Sequence, residues 1–199
     1  MTEATSRLQP TTIPAVFLIN AAKRSELKAF MHRGSDGWHD ITWKEAVGSI
    51  EAVASYLISA GIKPGDKISI FSENRPEWVY ADIATLAIGA ADVTIYATNS
   101  SQEAAYIVND SDSRICFCSG KAQVDRLLQA KATMPALEKV IVFNDIDLPD
   151  PLFVSMKEVI AKGAASLKTG EIYDRCAAIR GDDLMTLIYT SGTTGNPKG

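Results

Sequence analysis

The sequence predicts an α/β fold: a mostly parallel sheet with helices on both faces. Three observations lead there. Short apolar runs of strand length alternate with segments of helical period roughly ten to fifteen residues long, which requires crossover connections between parallel strands. Capping residues precede the helical segments and glycines follow several of them. The last apolar run passes directly into a stretch rich in glycine and hydroxyls, Thr190 to Gly199, beyond the carboxyl end of a strand, where open α/β sheets place their ligands.

Residues 1–10 read as a polar tail, and 11–20 as an entry segment leading into a short helix that fades near Ser25, with Val16, Phe17 and Ile19 as its apolar face. Residues 28–31 and 38–41 flank the Gly34–Gly37 turn and predict a hairpin. Thr42 and Glu45 form a capping box, and the helix it opens carries Val47, Ile50, Ala54 and Leu57 on one face before Gly61 ends it. A strand follows at 67–71. Asn74 with Glu77 suggests a second capping box, with Pro76 in the first turn, Val79, Ile83, Leu86, Ala87 and Ala90 on one face, and Gly89 at the end. Next come a strand at 93–96, a helix capped by Ser100 and Glu103 that ends near Asn109, a strand at 114–118, a helix at 121–131 and a strand at 139–143. Residues 144–151 read as an acidic loop. Ser155 and Glu158 cap a short helix closed by Gly163, 164–169 is small and polar and the least ordered interior stretch, 171–179 is helical, and a final buried parallel strand spans 185–189.

The stretch after that strand has the chemistry of a phosphate-binding loop. Gly192, Gly195 and Gly199 let backbone N–H groups lie against a ligand with no Cβ in the way. Thr190, Ser191, Thr193 and Thr194 add hydroxyl donors, Pro197 stiffens the turn after Asn196, and Lys198 supplies a point charge for phosphate oxygens. It is not a Walker A loop, because Pro197 stands where the second glycine belongs and Gly199 where the Ser/Thr belongs; no G-x-G-x-x-G is present. A glycine-rich loop without its ligand is expected to be the most mobile part of the ordered core.

Composition narrows the function. With 46% hydrophobic and 22% charged residues the 199-residue chain is an ordinary globular sequence, and its net charge of −4 with no Lys/Arg run argues against nucleic acid. The first ten residues carry no apolar core of signal-peptide length and no run reaches the roughly 18 apolar residues needed to span a bilayer, so cytoplasmic residence is expected. Cys116, Cys118 and Cys176 read as free thiols, the first two as buried small hydrophobes on one strand face; His32 and His39 read as surface residues and not as metal ligands.

The run Tyr189-Thr-Ser-Gly-Thr-Thr-Gly-Asn-Pro-Lys-Gly199 resembles the signature loop of the adenylate-forming superfamily. Thr42-Trp43, Ala60 to Asp66, Ser72 to Trp78, Gly89-Ala90, Ala105 to Ser111 and Asp182 to Leu184 resemble, in order and spacing, the bacterial long-chain acyl-CoA synthetase branch. One departure is Ala97, where members commonly have proline. The resemblance implies that residues 11–199 are part of an N-terminal adenylation domain that stops at the phosphate-binding loop, the C-terminal domain being absent. It also implies that the loop grips the β- and γ-phosphates of ATP, with Mg²⁺ carried by the nucleotide. The superfamily's Mg²⁺-holding Glu, ribose-binding Asp and adenylation lysine are not found before Gly199, so no catalytic residue is assigned here and the chain alone is expected to be inactive.

The implied reaction joins a fatty-acid carboxylate to AMP, releasing pyrophosphate, and then to CoA, releasing AMP. A sibling reading passes the acyl group to a carrier protein or to oxygen. A reading from another class makes the chain a non-catalytic assembly module. The resemblance allows peripheral membrane contact and homodimerisation of the parent protein.

Overall fold

The computed structural model describes residues 4–34, 36–148, 150–190 and 198–199. In chain order the elements are helix α1 (Ile13–Lys23), strands β1 (Lys28–Arg33) and β2 (Trp38–Thr42), helix α2 (Trp43–Ser59), strand β3 (Lys67–Phe71), helix α3 (Pro76–Ala87) and strand β4 (Ala91–Ile95). There follow α4 (Ser101–Asp110), β5 (Ile115–Cys118), α5 (Lys121–Ala130), β6 (Lys139–Val142), β7 (Phe153–Ser155), α6 (Met156–Ala165), α7 (Thr169–Ala178) and β8 (Thr186–Ile188). The chain divides into two compact units, one of residues 1–64, 75–89 and 160–183, the other of residues 65–74, 90–159 and 184–199.

In the first unit the expected antiparallel hairpin of β1 and β2 forms, with His32 opposite His39 and their rings stacked at 5.3 Å. Both halves of the Thr42–Glu45 capping box are present: the Glu45 N–H donates to Thr42 Oγ1 at 3.3 Å, and the Thr42 N–H donates to Glu45 Oε2 at 2.8 Å. The other end of α2 is a Schellman turn. Gly61 has φ +80°, its N–H donates to the Ile58 carbonyl, and the Ile62 N–H donates to Leu57.

The first unit also corrects several expectations. The buried side of α1 is Pro14, Ala15, Leu18 and Ala21, while Val16 is exposed and Phe17 sets its ring edge against Trp43 at 5.1 Å. The Asn74–Glu77 box does not form: the N-cap is Arg75, which puts Glu77 one position too early to reach back, and Glu77 instead accepts from Arg75 Nε at 2.8 Å. Gly163 does not end α6 but lies inside it, since a Cβ there would overlap the carbonyl of Ala52 on α2. In the stretch 164–169, Ala164 and Ala165 end α6 and Thr169 opens α7, and the Lys168 N–H between them donates to Ser55 Oγ at 3.0 Å. Within the first ten residues, Thr5–Arg7 form a 3₁₀ turn and Leu8 is buried.

The second unit is the predicted parallel sheet. Its strand order is β7-β6-β5-β3-β4-β8, and every neighbouring pair is parallel. β7 was not expected; its three residues are too few to show a period, and only pairing with β6 reveals it. Phe71, Val93, Ile95, Cys116, Cys118, Val140 and Val142 share one core with Ala104, Ile107 and Val108 of α4 and Val124 and Leu127 of α5. On the other face Ile68, Ile70, Ile115, Phe117 and Ile141 are no more than 2% exposed. Apolar residues on both faces explain why these strands read as continuous apolar runs. The three cysteines are buried and free, and burial pushes the Cys116 thiol up to about 12 and Cys176 up to about 11, so neither is a reactive thiolate near neutrality.

Arg114 ties the amino ends of the strands, reaching Glu138 Oε1 at 2.7 Å and Asp66 Oδ2 at 3.0 Å. The carboxyl ends are left to the connecting loops. No helix among the described residues is long and apolar enough to cross a membrane.

Candidate functional site

Because all strands of the sheet are parallel, the residues after Phe71, Ile95, Cys118, Val142 and Ile188 emerge along one edge. The loop read as phosphate-binding starts there, after β8. Of its residues, Thr190, Lys198 and Gly199 are described; Ser191, Gly192, Thr193, Thr194, Gly195, Asn196 and Pro197 lie outside the described residues, as does the expectation that the loop is mobile.

The described ends form a closed neck. Thr190 and Lys198 exchange both backbone hydrogen bonds, each at 3.0 Å, as a directly opposed antiparallel pair. Below this pair Gly199 rests on the ring of Tyr189: a Cβ added to Gly199 would stand 2.8–3.1 Å from three ring carbons. Tyr189 is 4% exposed, donates its hydroxyl to Asp110 Oδ2 at 2.7 Å, and meets Tyr106 edge-on at 6.5 Å. Burial, and then the Asp110 carboxylate, push the Tyr189 hydroxyl well above its ordinary range, so it stays a donor.

β8 corrects one expectation. It is parallel, but not buried: Ile188 is 56% exposed, since β8 is an edge strand paired only with β4 among the described strands. Its hold on β4 is reinforced by Asp92, 3% exposed, which accepts from Thr186 Oγ1 at 3.1 Å while its own N–H donates to the Met185 carbonyl. Burial outweighs these bonds and raises the Asp92 carboxyl to about 6. Since this folded value lies above the ordinary one of about 3.9, the folded protein keeps the proton between roughly pH 4 and 6 while the unfolded chain has lost it. The contribution of Asp92 to stability should therefore fall as pH rises through that window and level off above it. Asp92→Asn should flatten this limb in urea titrations at pH 4, 5, 6 and 7.

The turn after β4, containing Ala97, is pinned from α5: Arg126 Nη1 donates to the Ala97 carbonyl at 2.7 Å and to Asn99 at 3.0 Å, and Gln123 Nε2 to Ala97 at 3.2 Å. These bonds fix the turn without the proline usual there.

Chemically, the neck can offer a cation next to a glycine- and hydroxyl-rich span. Lys198 is exposed and has no carboxylate partner among the described residues. Gly199, with no side chain, lets the backbone beside Lys198 lie directly on the Tyr189 ring. These features fit a polyphosphate. Among the described residues no cluster of His, Cys, Asp or Glu could hold a metal ion. The part of the neck that sequence reasoning missed is the Tyr189–Asp110 contact. Asp110 lies 79 residues upstream, and no local spacing couples the two.

Comparison with known proteins adds the following. The family model described as AMP-binding enzyme matches residues 17–199. The long-chain-fatty-acid–CoA ligase FadD15 of Mycobacterium bovis is 33% identical over 204 residues, covering 96% of this chain and 33% of that protein. Fatty acyl-CoA synthetase A of Dictyostelium discoideum is 36% identical over 179 residues, covering 87% of this chain and 26% of that protein. The chain thus spans about a third or less of the length of these relatives. Among solved structures, the anthranilate CoA ligase AuaEII in complex with anthranoyl-AMP superposes with a TM-score of 0.79 at 21% identity, over 99% of this chain and 35% of that one. The Mycobacterium tuberculosis fatty acyl CoA synthetase superposes with a TM-score of 0.73 at 20% identity, over 95% of this chain and 34% of that one. At such identities these superpositions establish a shared fold.

Proposed function

We propose that this chain, which belongs to the AMP-binding enzyme family, is the N-terminal part of an ATP-dependent fatty-acid–CoA ligase in which residues 190–199 hold the β- and γ-phosphates of ATP. The observation that carries the reading is the neck: a hydrogen-bonded Thr190–Lys198 pair at the carboxyl edge of a parallel sheet, presenting an ammonium with no carboxylate partner among the described residues. The names of the relatives at 33% and 36% identity favour a fatty acid as the carboxylate substrate.

In this reading the fatty-acid carboxylate attacks the α-phosphorus of ATP, pyrophosphate leaves, and the thiol of CoA then displaces AMP from the acyl-adenylate. The contribution of this chain is to the leaving group. Loop N–H groups and the hydroxyls of Thr190, Ser191, Thr193 and Thr194 would donate to the phosphate oxygens, and Lys198 would neutralise the charge that develops as pyrophosphate departs. Mg²⁺ bound with the nucleotide would supply further neutralisation. In this reading the groups that orient the carboxylate and the ribose belong to other parts of the longer protein. Three free cysteines agree with a cytoplasmic setting.

Fatty-acid-dependent ATP–pyrophosphate exchange tests this. The expected result is exchange by a protein that continues past Gly199 into the remaining two-thirds of the relatives' length, and none by the 199-residue chain. Exchange by the 199-residue chain alone, or a complete protein that activates no fatty acid, would overturn the reading.

A further inference from the structure

We propose that Asp110 is a positioning residue for the loop, acting through Tyr189 to hold the neck that presents Lys198. The proposal rests on the phosphate reading above for its functional meaning, but its geometry stands independently.

Asp110 is the last residue of α4, and its carboxylate lies between two tyrosines: Oδ2 accepts from Tyr189 at 2.7 Å and Oδ1 from Tyr106 at 3.4 Å, while the two rings meet at 87°. Tyr189 is thereby fixed in both position and tilt. Its ring is the floor on which Gly199 lies, and the residues flanking these two, Thr190 and Lys198, form the paired rung of the neck. Among the described residues the rung is an isolated bridge with no second antiparallel pair beside it. One rung of two hydrogen bonds is a weak closure by itself. The ring beneath it supplies the missing brace, and the ring is aimed by Asp110.

The clamp also accounts for residue choice. Tyrosine at 189 is needed for its hydroxyl as much as for its ring, and only glycine fits at 199 against the ring face. Phenylalanine would keep the floor and lose the tether.

Amide hydrogen exchange on the 199-residue chain provides the test, read at Thr190 and Lys198 and, as a reference in the sheet core, at Phe117. Losing a hydrogen bond to a charged acceptor should raise exchange at both neck amides by about ten- to a hundredfold in Asp110→Ala and Tyr189→Phe. Phe117 should be unchanged, and Asp110→Asn, whose amide oxygen can still accept from Tyr189, should recover most of the protection. Unchanged neck exchange in both disruptive variants would overturn the proposal, and so would equal acceleration at Phe117, which would make Asp110 a residue of general stability. Titration with pyrophosphate separates the two readings. If the neck loosens as expected but pyrophosphate shifts no resonance of Lys198 in the unaltered chain, the hold of Asp110 on the neck stands and the phosphate assignment fails.

Discussion

Gly163→Ala should lower stability by about 1–3 kcal/mol, the range for forcing extra volume into a packed interior. The added methyl would overlap the Ala52 carbonyl, and that carbonyl belongs to α2, whose backbone cannot yield without disturbing the buried Ile50, Val53 and Leu57. Urea unfolding should show a lower midpoint with an unchanged slope. Gly170→Ala is the matched control: it lies in α7 with nothing within 4 Å of the added Cβ, so the same exchange should be neutral or stabilise by up to about 1 kcal/mol. Equal effects at the two positions would show that the α2–α6 approach is looser than described.

Lys198→Ala, placed in the longer protein proposed above, should slow adenylation by roughly ten- to a thousandfold, the usual consequence of removing one preorganised charge-stabilising group. If the lysine acts on departing pyrophosphate, kcat for pyrophosphate exchange should fall with kcat/KM. A change confined to KM for ATP would assign Lys198 to ground-state binding. Lys198→Arg should restore only part of the rate, because a planar guanidinium does not reproduce the compact point charge of an ammonium.

The parts of the fold legible in the sequence were those written in local spacing. The β3 run Lys67–Phe71 and the boxes Thr42–Glu45 and Ser100–Glu103 are short-range patterns, and each formed where expected. The misreadings share a cause. Gly163 looks like a terminator until Ala52 is brought against it, Phe153–Ser155 is no strand until β6 lies alongside, and the apolar run at β8 looks buried until its place at the sheet edge is known. All three depend on what approaches from elsewhere in the chain. The loop chemistry of Thr190 to Gly199 could be read from composition and order, whereas the Asp110–Tyr189 tether could not, because a carboxylate 79 residues away carries no sequence mark of its target.

The pairing of β8 with β4 bears on how the protein acquires its shape. Asp92 and Thr186 are 94 residues apart, whereas β3 and β4, or β5 and β6, join across a single helix. Loop closure over so long a span is entropically the least favourable in the sheet, so the strands from β3 to β6 can associate while β8 is still unattached. The edge of β4 then stays open as a template until β8 arrives. During synthesis that interval lasts at least as long as the ribosome takes to make the intervening residues, on the order of 5–20 s. Refolding monitored at Tyr189, whose ring is buried only once the neck has closed, should lag behind refolding monitored at the β3–β5 core.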